Sequence, residues 1–147
     1  MGEPLCLAWD RSLLAYDFGP GHPMSPVRLD LTARLLDAFG LLTAPSVVVV
    51  APEPAPDETL LLVHTQEYID AVRRSGAAPY NTYEPDKGLG TDDDPVFADM
   101  HEASARIVGA SESAMILIEA VRDAALKQQL AKRQRGPGMI VAFFEWV

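Results

Sequence analysis

Three prolines and two glycines fall between Tyr16 and Arg28, in the run Tyr-Asp-Phe-Gly-Pro-Gly-His-Pro-Met-Ser-Pro-Val-Arg, around a single imidazole, His22. Proline fixes φ, so such a loop is rigid and specific in shape, a frame that holds a histidine and, entering the next helix, an arginine in set places. Read alone, the same residues also describe a rigid turn whose Arg28 pairs with a nearby carboxylate. A second segment, Gly88-Leu89-Gly90-Thr91-Asp92-Asp93-Asp94-Pro95, sets three adjacent carboxylates before a helix. One of them is expected to cap that helix, and by itself the run also reads as a solvated acidic loop. The alternating acidic positions, central glycine and closing glutamate of a calcium loop are not there. The other histidines, His64 and His101, lie in separate segments, with no HExxH, no His-His pair and no CxxC. His64 is expected to plug a helix junction with its ring hydrogen-bonded, and His101 to sit on a helix beside Glu102. Walker, GxGxxG and GxSxG patterns are likewise missing, which removes the enzyme classes they mark.

Positioning these segments requires a scaffold, and the hydrophobic pattern outlines one. Leu5-Cys6-Leu7-Ala8-Trp9 and Ser46-Val47-Val48-Val49-Val50-Ala51 are continuous apolar runs, the mark of strands covered on both faces in a parallel sheet. Between them, Leu31, Leu35, Leu36 and Phe39 recur at helical spacing from Pro26 to Leu42, with Gly40 placed to terminate. Three prolines from Pro52 to Pro56 lead to Asp57, a suitable N-cap for a short helix through Val63; Thr65 begins another, burying Tyr68, Ile69 and Val72. Residues 77–95 read as loop. Helix is expected again with Pro95 at N1 and Asp94 as cap, its stripe formed by Val96, Phe97, Met100, Ala103 and Ile107.

The chain has 147 residues, the size of one domain, and is 48% hydrophobic with mean hydropathy +0.05, enough to bury a core without staples. Its net charge of −9 opposes a phosphate backbone or an anionic membrane surface, so nucleic acid and membrane are not expected partners. Residues 1–111 carry a net −10 and residues 112–147 a net +1, a change in character along the chain. One cysteine, Cys6, allows no intrachain disulfide and suits a reducing compartment, and there is neither a leader nor a run of ~20 apolar residues. A cytoplasmic location is the expectation.

In order and spacing, Tyr16 to Arg28 with its following helix, Val63-His64-Thr65 with Glu67-Tyr68-Ile69, and Gly88-Leu89-Gly90-Thr91 through Pro95-Val96-Phe97 resemble the opening of the histone deacetylase superfamily. The details resemble its bacterial acetoin-utilisation branch. The likeness covers about residues 5–111. It implies an α/β fold of the arginase/deacetylase type, a three-layer arrangement with a parallel sheet, present only as its N-terminal portion. It also implies zinc-dependent hydrolysis of an acetylated amine, such as acetyl-lysine or a small acetylated amine, to amine and acetate.

In that family the zinc ligands and catalytic histidines follow the point this chain reaches, so no catalytic or metal-binding residue is assigned, and zinc is expected only in full-length members. Two positions carry across: Arg28 to the arginine of the internal channel, where acetate leaves, and Asp93, two before Pro95, to the pocket-rim aspartate that accepts hydrogen bonds from the substrate backbone. Asp17 and His22 belong to the supporting loop, as scaffolding on the Arg28 side. Two regions result: 1–111, the N-terminal part of a deacetylase domain, and 112–147, a divergent helix from about Ser113 to Arg135 followed by the apolar end Met139 to Val147. The chain alone is expected to be inactive. The alternative is a non-catalytic interaction or oligomerisation module that self-associates through an exposed sheet edge.

Overall fold

The computed structural model describes residues 5–132; the expected basic helix end beyond Lys132 and the apolar end from Met139 lie outside them. Strand β1 (Leu5–Ala8) pairs in parallel with β2 (Val47–Val50), Leu5 opposite Val47 and Ala8 opposite Val50, and helix α1 (Val27–Ala38) makes the crossover. A parallel pair needs a long connection, and α1 supplies it. Helix α2 (Asp57–Leu60), helix α3 (Gln66–Ala77) and the long helix α4 (Met100–Lys132) follow. None of the helices among the described residues is long and apolar enough to cross a membrane.

Local chemistry accounts for most boundaries. Thr65 caps α3, its Oγ1 accepting from the Tyr68 amide at 3.2 Å. Gly40, at φ +68, takes the left-handed turn that ends α1. Asp57 is not the cap of α2, as the sequence suggests; Pro56 holds that place and the Asp57 carboxylate instead bridges to Arg73 of α3. The helix expected from Pro95 begins only at Met100, after Asp99 adopts φ +58, and Ala103 N donates to Asp99 O at 3.0 Å. Val96 and Phe97 are thereby freed from the helix to pack against Ala71, Val72, Leu89 and Met100. The helices expected from Pro95 and from about Ser113 are one, running through residue 112 without a break. At and just past that residue it is seated on the body: Glu112 accepts from Thr59 at 3.3 Å and Ala114 is buried.

Two apolar clusters carry the core. Ala55, Leu60, Ile69 and Ala105 form one, and the Leu89 cluster just described forms the other. Burial on both sheet faces, expected for both strands, holds only for β1. Cys6 and Leu7 are buried, whereas Val48 and Val49 of the outer strand are 52% and 39% exposed. Helix α1 departs from its expected orientation too. Leu29, Ala33 and Leu36 face Leu7 and Trp9 of the β1 segment, so Leu31, Leu35 and Phe39 point away and are more than half exposed.

The Asp57–Arg73 pair lies close to His101, and the group makes stability pH-dependent. The hydrogen bond from Arg73 holds the Asp57 carboxyl below its ordinary value. Burial, reinforced by the positive Arg73, holds His101 below 6.5, against the opposing pull of Glu102 and Asp57. Below pH 6.5 the unfolded chain therefore takes up a proton at His101 before the folded one does, and stability falls as the pH falls. Asp57 adds a second loss of the same sign as the pH drops below 3.8. The urea midpoint is expected to decline from about pH 7 downward. His101→Gln removes the upper limb of that decline; an unchanged upper limb in the variant would refute the assignment.

Candidate functional site

The loop from Tyr16 to Arg28 is built turn by turn. Asp17 Oδ1 accepts from Gly19 N at 2.9 Å, and Gly19 and Gly21, at φ +90 and +88, turn the chain so that His22 N reaches Gly19 O at 3.4 Å. His22 Nδ1 then accepts from Met24 N at 3.1 Å. Arg28 opens α1, exposed, with its guanidinium 3.9 Å from the Met24 sulfur. The carboxylate partner that a simple turn would give it is not found among the described residues; the neighbouring Asp30 pairs with Arg34 and Arg11 instead.

The acidic loop is more ordered than its sequence suggests. Glu84 and Leu89 exchange backbone hydrogen bonds of 2.9 and 3.1 Å, and Leu89 is fully buried. Gly90 adopts φ +79, and a Cβ there would sit 2.6 Å from Thr82 O, so only glycine fits. Gly90 N donates to Asp94 O at 2.9 Å, and Asp94 N to Thr91 Oγ1 at 3.1 Å, closing the turn that carries the three aspartates.

The fold brings these loops together through His22 and Asp93. His22 Nε2 lies 3.3 Å from the Asp93 carbonyl, and the imidazole packs on Phe18 at a centroid distance of 4.7 Å. Phe18 meets Phe97 edge-on at 5.3 Å. The Asp93 side chain is exposed. Asp94, expected as a helix cap, is half-buried instead; burial pushes its carboxyl up, opposed by His22. Burial and the charge of Asp94 together raise the Tyr68 hydroxyl. His64 is exposed rather than plugging a junction, its ring stacked on Tyr68 at 5.2 Å.

Of the residues singled out from sequence, His22 and Asp93 are in contact, Asp17 shapes the His22 loop, and no hydrogen bond or ion pair joins Arg28 to Asp93 among the described residues. The sequence reading does not pair Phe18 with Phe97, and it gives Asp94 as a helix cap where the structure half-buries it. The one signal in the sequence is that each motif segment carries a phenylalanine, Phe18 in the first and Phe97 in the second. Chemically the arrangement offers an exposed carboxylate whose backbone is held to the His22 loop, suited to accepting N–H bonds from a ligand. No group of three or more His, Cys, Asp or Glu that could hold a metal ion occurs among the described residues.

Residues 22–138 match the model of the histone deacetylase domain. The acetoin utilization protein AcuC of Bacillus subtilis is 40% identical over 104 residues, 70% of this chain and 26% of that protein. Histone deacetylase 2 of Oryza sativa is 30% identical over 116 residues, 76% of this chain and 22% of its own length. The chain thus spans about a quarter of the curated relatives it matches. The crystal structure of the HDA15 HD domain superposes with a TM-score of 0.66 at 20% identity, covering 82% of this chain and 33% of that one, which shows the shared α/β fold.

Proposed function

Because the chain belongs to the histone deacetylase domain family, we propose that it supplies the substrate-facing rim of a hydrolase that cleaves acetylated amines, such as acetyl-lysine, to amine and acetate. The observation that carries this reading is the junction of the two motif loops at His22 and the backbone of Asp93, whose exposed carboxylate shares these loops with the Phe18–Phe97 pair. Asp93 accepts hydrogen bonds from the substrate backbone, and the aromatic pair takes the methylene stem of the side chain. Arg28, exposed and free of a carboxylate partner among the described residues, is suited to receive acetate. The zinc used by the family does not fit the described residues, which bring no set of three or more donors together, so no step is assigned to a metal here. We place the metal and the proton-transferring histidines outside this stretch of sequence. The lone, buried Cys6 thiol suits a reducing compartment, and we place the activity in the cytoplasm.

A second reading, an interaction module, is favoured by the outer face of α1. Val27, Leu31, Leu35 and Phe39, each four residues apart, are 57%, 59%, 57% and 73% exposed, and Val48 and Val49 lie uncovered on the outer strand. A continuous apolar stripe on a helix is a surface suited to a partner.

One preparation tests both readings. Purified chain is assayed for zinc by elemental analysis, for turnover and binding of an acetyl-lysine peptide, and for mass by light scattering. The expected result is a monomer without zinc or turnover that binds the peptide, with Asp93→Ala weakening binding about tenfold, as loss of a charge-assisted hydrogen bond does. Stoichiometric zinc with turnover would mean that His22, His64, His101 and Asp92 to Asp94 assemble a site after all. A dimer that fails to bind the peptide would favour the interaction module.

A further inference from the structure

The contact between His22 and Asp93 carries more than adjacency, because its hydrogen bonds fix the tautomer of the imidazole. The Met24 amide can only donate, so His22 Nδ1 must be bare, and in the neutral ring the proton resides on Nε2, 3.3 Å from the Asp93 carbonyl. The ring plane is set independently. Phe18 packs on it at 4.7 Å, and Phe18 is in turn braced by Phe97, from the segment just beyond Asp93. Within the acidic turn, Gly90 N and Asp94 N make the internal bonds, and the Asp93 carbonyl takes its bond from across the site. No hydrogen bond to the Asp93 carboxylate occurs among the described residues. Its placement therefore depends on the backbone that carries it.

We infer that His22 is a positioning residue: as the Nε2-protonated tautomer it clamps the Asp93 backbone carbonyl and so fixes the Asp93 carboxylate where the substrate crosses the rim. This rests on the reading of Asp93 as a substrate-binding residue, and it moves His22 from the Arg28 side of the loop to the Asp93 side. The clamp works through geometry and does not require His22 to touch substrate. Glutamine can place a side-chain N–H near the position of Nε2, whereas asparagine can reproduce the Nδ1 acceptor but is too short to reach Asp93. Phenylalanine keeps the ring and loses both nitrogens. Glutamine and asparagine both give up the packing on Phe18, so the difference between them isolates the donor to Asp93.

The test combines long-range proton–nitrogen correlation spectra of the His22 ring, amide exchange at Gly90 and Asp94, and affinity for an acetyl-lysine peptide. The parent chain is expected to show the Nε2–H pattern. His22→Asn and His22→Phe are expected to speed exchange at Gly90 and Asp94 about fivefold and to weaken peptide binding by a similar factor, the size of one net hydrogen bond. His22→Gln is expected to stay within about twofold of the parent in both. An Nδ1–H pattern, or H22N and H22Q behaving alike, overturns the clamp and leaves His22 a packing residue. Failure of the parent chain to bind the peptide overturns the rim reading alone, since the tautomer and the exchange rates are read without ligand.

Discussion

Gly109→Ala is expected to destabilise the chain by about 3 kcal/mol or more, the upper range for forcing atoms into a packed interior. Gly109 lies on α4 where the helix crosses the Pro52–Ala55 segment, and a methyl group there would overlap Glu53 O and stand 2.9 Å from Ala55 N. Both are backbone atoms, so no side-chain rotation relieves the overlap. Nor can the segment withdraw freely. Ala55 N donates to Ala105 O at 2.8 Å, Arg106 Nη1 donates to Pro52 O at 3.2 Å, and Pro52 itself is fully buried. Helix and segment must separate, and with them the Ala55, Leu60, Ile69 and Ala105 cluster. Chemical denaturation measures the loss. Gly76→Ala is the comparison: its added carbon would stand 3.0 Å from Met100 N, a tight contact that a small shift relieves, and about 1 kcal/mol is expected. Equal losses in the two variants would show that the close crossing at Gly109 does not govern stability.

Leu89→Ala is expected to lower stability by about 2–5 kcal/mol and to loosen the rim at the same time. Leu89 has no exposed surface, and Ala71, Val72 and Met100 pack around it with Tyr68, Val96 and Phe97 at the edge. The residues on its C-terminal side form the turn that carries Asp93, so a cavity at Leu89 undermines the base of the acidic loop from inside. The distinguishing measurement is amide exchange at Gly90 and Asp94 alongside the unfolding curve. Both should change in Leu89→Ala, whereas Leu89→Met, which nearly conserves volume, should cost less than about 1.5 kcal/mol and leave exchange near the parent rate. A Leu89→Ala variant that unfolds normally would show that the loop stands independently of the core.

Much of this architecture was legible from residue pattern, and the exceptions have physical causes. The Thr65 cap and the Gly40 terminator rest on interactions between near neighbours in sequence, which local chemistry specifies, and the β1–α1–β2 unit on apolar runs and helical spacing that mark each element. Which side of α1 faces the sheet was not legible, because apolar residues occur nearly all round it: Leu29, Ala33 and Leu36 turn inward while Leu31, Leu35 and Phe39 turn out. Asp94-Pro95 is a sound helix start by its own chemistry. It lost to the tertiary packing of Val96 and Phe97 beside Leu89, which holds residues 95–97 out of the helix. A separate helix from about Ser113 had no physical punctuation to support it, since no proline and no glycine lies between Ala110 and Arg135. At the site, the types and order of His22 and Asp93 were readable, but their meeting was not, because nothing in local sequence states which loops touch.

The His22–Asp93 contact joins residues 71 positions apart, farther in sequence than the α3 to α4 packing that supports the acidic loop from below. Loop-closure entropy grows with the length of chain enclosed, and contacts of long sequence separation are the slower ones to form. The order of assembly follows: α3, the acidic loop and the start of α4 can gather around Leu89 as a local unit, and the His22 loop closes onto it afterwards. During synthesis the His22 loop emerges first and waits, without its partner, until the segment through Phe97 has cleared the ribosome. Its prolines and glycine turns, which shape the loop through its own short-range bonds, keep that early segment close to its final form until the other half of the rim arrives.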